Sequence, residues 1–104
     1  VSLAYKILTA AQWADFQATG VFKGAPVDLA DGYIHMSTAA QVAETAARHF
    51  AGQTGLVFAT FDLAALGDAV RLEPSRGGQL FPHLYGDLPM DAVVAFSGTV
   101  PDGA

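Results

Sequence analysis

Three short stretches of this sequence set groups that can move protons or hold anions two residues apart: His35 with Ser37, Arg71 with Glu73, and His83 with Tyr85. Side chains alternate along an extended backbone, so each pair shares one face of its strand, and Phe81 joins His83 and Tyr85 on theirs. The outer face of a half-buried strand ordinarily carries Thr, Lys, Glu and Gln. Here two of only three histidines stand on such faces, in a chain with 14% charged residues. Should the strands be neighbours, their faces form one polar cleft, the usual shape of a small-ligand site. In it His35 and His83 would hold hydroxyls or transfer protons, and Arg71, with Arg76, would grip an anionic group bidentately.

Each pair also has a structural reading. A lone histidine beside aromatics is often a hydrogen-bonded core residue. Arg71 and Glu73 can be a surface ion pair, and Tyr85, just before Gly86, a turn residue. Other chemistries are less well supported. The three histidines show no i,i+2 or i,i+4 pair, so a metal-assisted hydrolase would need ligands converging from distant elements. No Gly-x-Ser-x-Gly elbow surrounds Ser37, and residues two apart on a strand are too far apart for a direct nucleophile–base hydrogen bond. Neither a Gly-x-Gly-x-x-Gly fingerprint nor a P-loop is present.

The elements that must position these groups are legible in outline. Leu3–Leu8 reads as a first strand. Thr9 and Gln12 form a capping box for a helix over 10–19 that stops at Gly20, with Trp13 and Phe16 facing the core. Residues 21–30, with Gly24, Pro26 and Asp28, read as an irregular loop and candidate lid. The run Asp31-Gly-Tyr-Ile-His-Met-Ser-Thr38 reads as a strand feeding a helix over 38–50, with Thr38 and Gln41 as a second capping box. That helix end would set anion-favouring N–H groups beside His35 and Ser37. Along the helix Glu44 and Arg48 form an i,i+4 pair, and His49 suits the last turn. Leu56–Phe61 is apolar on both faces and reads as the central strand. Asp62 caps a single turn, and Val70–Glu73 follows with Val70 and Leu72 inward. Leu80–Gly86 reads as an edge or irregular segment because Pro82 lacks an N–H. Residues 92–100 read as the last strand, and the tail from Pro101 should fray.

At 104 residues with 52% apolar content, the chain is long enough for one sizeable core. A net charge of −5 argues against binding nucleic-acid duplexes through phosphate neutralisation. The absence of cysteine removes disulfides, thiolate metal sites and thiol nucleophiles, and favours a reducing compartment. With neither a membrane-length apolar run nor a signal-peptide pattern, the expectation is a cytoplasmic protein.

Over most of its length the chain resembles a family of small bacterial and plant proteins known as domain of unknown function nine-five-two. Trp13, Asp28, the 31–38 run, Gln41, Thr45, Phe50, Arg71-Leu-Glu73 and Phe81-Pro-His-Leu-Tyr-Gly86 carry the match. The family is in turn distantly similar to the ADP-ribosyltransferase superfamily, including the RNA 2′-phosphotransferases, which bind NAD or an ADP-ribosylated intermediate in a split-sheet α+β fold. That resemblance implies that His35, with Ser37 or Thr38, holds the nicotinamide-side ribose and that His83 or Tyr85 packs near the nicotinamide. Glu73 is the one strand-borne candidate for that superfamily's catalytic glutamate, although it precedes the Pro-His-Leu-Tyr-Gly run rather than closing the fold.

The expectations are therefore a single α+β domain over 1–104, with a mixed or antiparallel sheet, continuous or split, and two main helices. Its cleft takes a nucleotide-like ligand (NAD, ADP-ribose or a phosphorylated ribose), with His35, His83 and Glu73 catalytic and Ser37, Thr38, Arg71, Tyr85 and Phe81 binding. The alternative is a non-catalytic interaction domain with a structural polar cluster, whose 21–30 loop contacts a protein partner. Cofactor identity and oligomeric state stay open.

Overall fold

The computed structural model describes residues 2–101, apart from the side chain of Arg76. The expected anion contact of Arg76 and the fraying tail beyond Pro101 lie outside the described residues.

β1 (Leu3–Leu8) leads into α1 (Ala10–Thr19) through the predicted capping box: Gln12 N–H donates to Thr9 Oγ1 and Thr9 N–H to Gln12 Oε1. Gly20, at φ 81°, closes the helix with its N–H on the Phe16 carbonyl. Residues 21–30, read from sequence as a loop, hold β2 (Val21–Phe22) and most of α2 (Pro26–Asp31), which also takes in Asp31 from the run read as a strand. Two local features account for this. Proline at the first helical position is pre-set for a helix, and Asp28 accepts the Ala25 N–H at 2.8 Å. β3 (Ile34–His35) follows.

The next helix, α3 (Val42–His49), starts four residues later than the capping spacing predicted. Only half of that box forms. Gln41 Oε1 accepts the Thr38 N–H, whereas the Thr38 carbonyl, not its hydroxyl, receives Gln41 N–H and Val42 N–H. Residues 38–41 become a turn, and the Val42 N–H that opens the helix is taken by the Thr38 carbonyl.

β4 (Val57–Asp62), the one-turn α4 (Leu63–Leu66), β5 (Val70–Pro74), β6 (Leu80–Leu84), β7 (Leu88–Pro89) and β8 (Val93–Ser97) complete the α+β chain. Asp62 caps α4 as expected. The last strand is shorter than the 92–100 run: Met90–Ala92 forms a 3-10 turn before it, and after Ser97 the chain turns, with Ser97 Oγ donating to the Thr99 carbonyl. All strand pairing among the described residues is antiparallel, in the orders β1-β4-β8, β2-β7 and β3-β6-β5. β4 is central, as its sequence implied.

β6 is central too, which overturns the edge position expected from Pro82. The Pro82 carbonyl accepts Met36 N–H at 3.0 Å, but its nitrogen, on the same strand edge, has no hydrogen to give. β3 pairing ends there, and Ser37 turns to β1, exchanging both backbone hydrogen bonds with Tyr5. That single bridge joins two three-stranded sheets, so the sheet is split.

α1 covers one face of this assembly. Trp13 and Phe16 pack edge-to-face at 5.6 Å within a core of Leu8, Ile34, Met36, Phe61 and Leu84. Fully burying a ring such as Phe16 contributes about 1.5–3 kcal/mol. α3 covers the opposite face of β1 and β4 through Val42, Ala46 and Phe50 on Tyr5, Ile7 and Phe58. Leu72, expected inward, is 58% exposed, whereas Val70, two residues earlier on the same face, is half-buried against the main core.

Candidate functional site

Beyond the Tyr5–Ser37 bridge β1 and β3 diverge, and a cleft of about 760 Å³ opens along the split. Its walls include Lys6 of β1, His35 and Ser37 around β3, Phe81 and His83 of β6, and Phe50 at the end of α3. His35 stands directly opposite His83 in register, their ring centroids 5.6 Å apart. One sequence pair, His35 with Ser37, thus meets the histidine of a second at one hollow.

The third pair stands behind His83 rather than in the cleft. Arg71 is opposite His83 and Glu73 opposite Phe81 across β5 and β6. Glu73 Oε1 lies 2.8 Å from His83 Nδ1 and accepts the Tyr85 hydroxyl at 2.6 Å. Those two hydrogen bonds, Tyr85's first, hold the Glu73 carboxyl below its ordinary pKa, while the same bond pushes the Tyr85 phenol up. A carboxylate only accepts, so Nδ1 carries the proton and Nε2 is the nitrogen His83 keeps for other work. The Arg71 guanidinium rests over the Tyr85 ring, 4.9 Å from its centroid. Arg71, Glu73 and Tyr85 do not line the cleft, and neither does Thr38, whose N–H is spent on Gln41. Ser37 Oγ donates to Thr45 Oγ1 rather than to a histidine.

Four residues outside the sequence reading of the site complete it. Tyr33 stacks on His83 at 4.1 Å and also touches His35 and Tyr85. Asp28, 2% exposed, accepts from Ala25 N–H, His35 N–H and Lys6 Nζ, and its Oδ1 lies 2.6 Å from His35 Nδ1. Asp31 Oδ2 lies 2.9 Å from His35 Nε2, so His35 spans two carboxylates. Lys6 Nζ also donates to the His35 carbonyl at 2.8 Å. Burial pushes the Asp28 carboxyl up, but the Lys6 charge and the His35 and Ala25 donors outweigh it and leave it low. For Lys6, burial outweighs the Asp28 charge and pushes the ammonium down. The available signals were Asp28 three residues past the Ala25-Pro26 helix start and a lysine at an inward position of β1.

Among the described residues no three His, Cys, Asp or Glu side chains converge as a metal site, and no helix is long and apolar enough to cross a membrane.

The fold has solved counterparts. The crystal structure of protein CC0527 from Caulobacter crescentus superposes with a TM-score of 0.90 at 46% identity, over 92% of this chain and 84% of that one. The solution NMR structure of CC0527 matches with a TM-score of 0.84 at 44% identity, over 98% of this chain and 88% of that one. No curated protein matches the sequence. The family model described as "Protein of unknown function (DUF952)" matches residues 7–96, most of the sequence and both site strands, and the chain belongs to that family.

Proposed function

We propose that the cleft binds a small, hydroxyl-bearing ligand of nucleotide type, such as NAD, ADP-ribose or a phosphorylated ribose, and that His83 exchanges a proton with it. One observation carries this reading: His83 lines the cleft while Glu73 occupies its Nδ1. A histidine oriented by a carboxylate, with its second nitrogen left over, is the arrangement a general base needs. Ser37 and the Phe81 ring offer a hydroxyl and an apolar surface on the same walls. Tyr33, clamped over His83, limits how that ring can turn. In this reading Arg71 meets an anionic end of the ligand beside Tyr85, outside the cleft proper. The ligand class is the one implied by the sequence resemblance to ADP-ribosyltransferases, and in this reading Glu73 acts through His83 rather than on the ligand.

Titration with NAD, ADP-ribose and ribose 5-phosphate, followed by amide shifts, tests the proposal. Perturbations should centre on His35, Ser37 and His83; their absence with all three ligands removes it. A second reading, a structural polar cluster in an interaction domain, draws on the complete hydrogen bonding around Asp28. His35→Ala separates the two. Binding lost with the fold intact supports the site, and a large fall in Tm with binding unchanged supports the cluster.

A further inference from the structure

Lys6 breaks the pattern of its own strand. The neighbouring inward positions of β1 are Ala4 and Leu8, both fully buried in the main core, and Lys6 stands between them at 7% exposure. Charged residues are rarely so buried, and a local rule broken inside an otherwise consistent strand marks a functional position. Lys6 is also among the residues that line the cleft. It rests against the Asp28 carboxylate, 3.0 Å from Oδ2, and against the His35 carbonyl.

We propose that Lys6 is an amine nucleophile that forms an imine with a small aldehyde or ketone held in the cleft. The proposal does not depend on the nucleotide reading, since it needs only Lys6, Asp28 and the open cleft. Asp28 first takes a proton from the Lys6 ammonium. The freed nitrogen lone pair attacks the carbonyl carbon, the C=O π pair moves to oxygen, and a proton passing from nitrogen to that oxygen gives a neutral carbinolamine. Asp28 then returns its proton to the hydroxyl, the C–O bond breaks, and water leaves as the nitrogen lone pair closes the C=N bond. One ammonium and one carbonyl become one protonated imine and one water, with Asp28 ionised again.

Two features of the site favour this chemistry. Burial already pushes the Lys6 ammonium below its usual range, which raises the share of free amine near neutral pH. Asp28 is held by backbone donors from both α2 and β3, so it stays in place when its charge is lost.

The chain has only one other lysine, the exposed Lys23, which makes the test clean. Native protein is treated briefly with glyceraldehyde or dihydroxyacetone and cyanoborohydride at neutral pH, and adducts are located by intact mass and peptide mapping. Lys6 should be trapped at least about tenfold faster than Lys23, and the preference should vanish in urea. Lys23→Arg should retain one lysine adduct per chain, and Lys6→Arg, which keeps a cation beside Asp28, should show none at position 6. Since Lys6→Arg could fail to fold, the comparison of the two lysines within the native chain carries the decision. Trapping at Lys23 alone, or at Lys6 only after unfolding, overturns the proposal and leaves Lys6 a structural ion-pair partner.

Discussion

A single oxygen of Asp28 holds His35 twice: Oδ1 accepts its backbone N–H at 3.0 Å and lies 2.6 Å from its Nδ1. The other oxygen takes the Ala25 N–H and the Lys6 ammonium. One buried carboxylate thereby ties the start of α2, the middle of β1 and the whole of β3 at the point where the sheet divides. The position of His35 in the cleft is a consequence of that tie.

Asp28→Asn keeps the shape and the backbone acceptor but strands the Lys6 ammonium without its counter-charge. Removing one partner of a buried pair is expected to lower stability by about 3 kcal/mol. Lys6→Met in the same chain removes the stranded charge, and the double variant should recover at least about 1 kcal/mol over Asp28→Asn alone. Urea denaturation of the two single variants and the double variant measures the coupling. Strictly additive losses would show that the pair does not interact across the split.

The same carboxylate sets a pH limb. Its pKa in the folded chain lies below the ordinary 3.8, so the unfolded state binds protons more readily in that range. Its contribution is complete above about 3.8 and is lost as pH falls through the folded value. Urea midpoints of the parent should therefore drop on acidification below pH 4 more steeply than those of Asp28→Asn. Equal slopes would mean the carboxyl is not held low.

Behind His83 the corresponding bond is testable without threatening the fold. Tyr85 is exposed, and its hydroxyl is the largest cause of the lowered Glu73 carboxyl. Tyr85→Phe should raise the Glu73 pKa toward the ordinary 4.5, read from its side-chain carboxyl carbon in an NMR titration. The imidazole contact of Glu73 should persist in that variant, visible in an unchanged His83 Nδ1–H resonance. A Glu73 titration identical to the parent's would show that Tyr85 does not share its oxygen in solution.

The sequence showed which side chains face together, because strand alternation is a local property. His35, Ser37, His83, Tyr85, Arg71 and Glu73 all lie on the faces their spacing implied. It could not show which faces would enclose space. Arg71 and Glu73 ended behind His83 because β5 is the outer strand, and that order depends on tertiary pairing. α2 was missed because its six residues carry no hydrophobic period, only a proline and one capping aspartate. The place of Pro82 was misread for a different reason. Its missing donor is tolerated in a central strand where the neighbouring strand ends, and no local pattern announces that ending. Tyr33 and Lys6 escaped because the partners that bring them to the site, Asp28 for Lys6 and His83 and Tyr85 for Tyr33, lie 22 to 52 positions away.

Gln41 gives a last test, of how the cleft's two walls are held together. Its side chain is 7% exposed; Oε1 accepts Thr38 N–H at 3.0 Å and Nε2 donates to the Leu80 carbonyl at 2.8 Å. The amide therefore clamps the turn ahead of α3 to the start of β6, one residue before Phe81 enters the cleft. Gln41→Ala leaves a donor and an acceptor without partners and should lower stability by about 1–3 kcal/mol. Gln41→Glu should separate the two ends of the clamp. Its carboxylate still accepts from Thr38 but meets the Leu80 carbonyl with no hydrogen to give, so Thr38 stays protected from hydrogen exchange while the β6 end loosens. In Gln41→Ala both ends should exchange faster. Protection at Thr38 that survives the alanine variant would show that the turn holds itself through its backbone bonds, leaving Gln41 to anchor β6 alone.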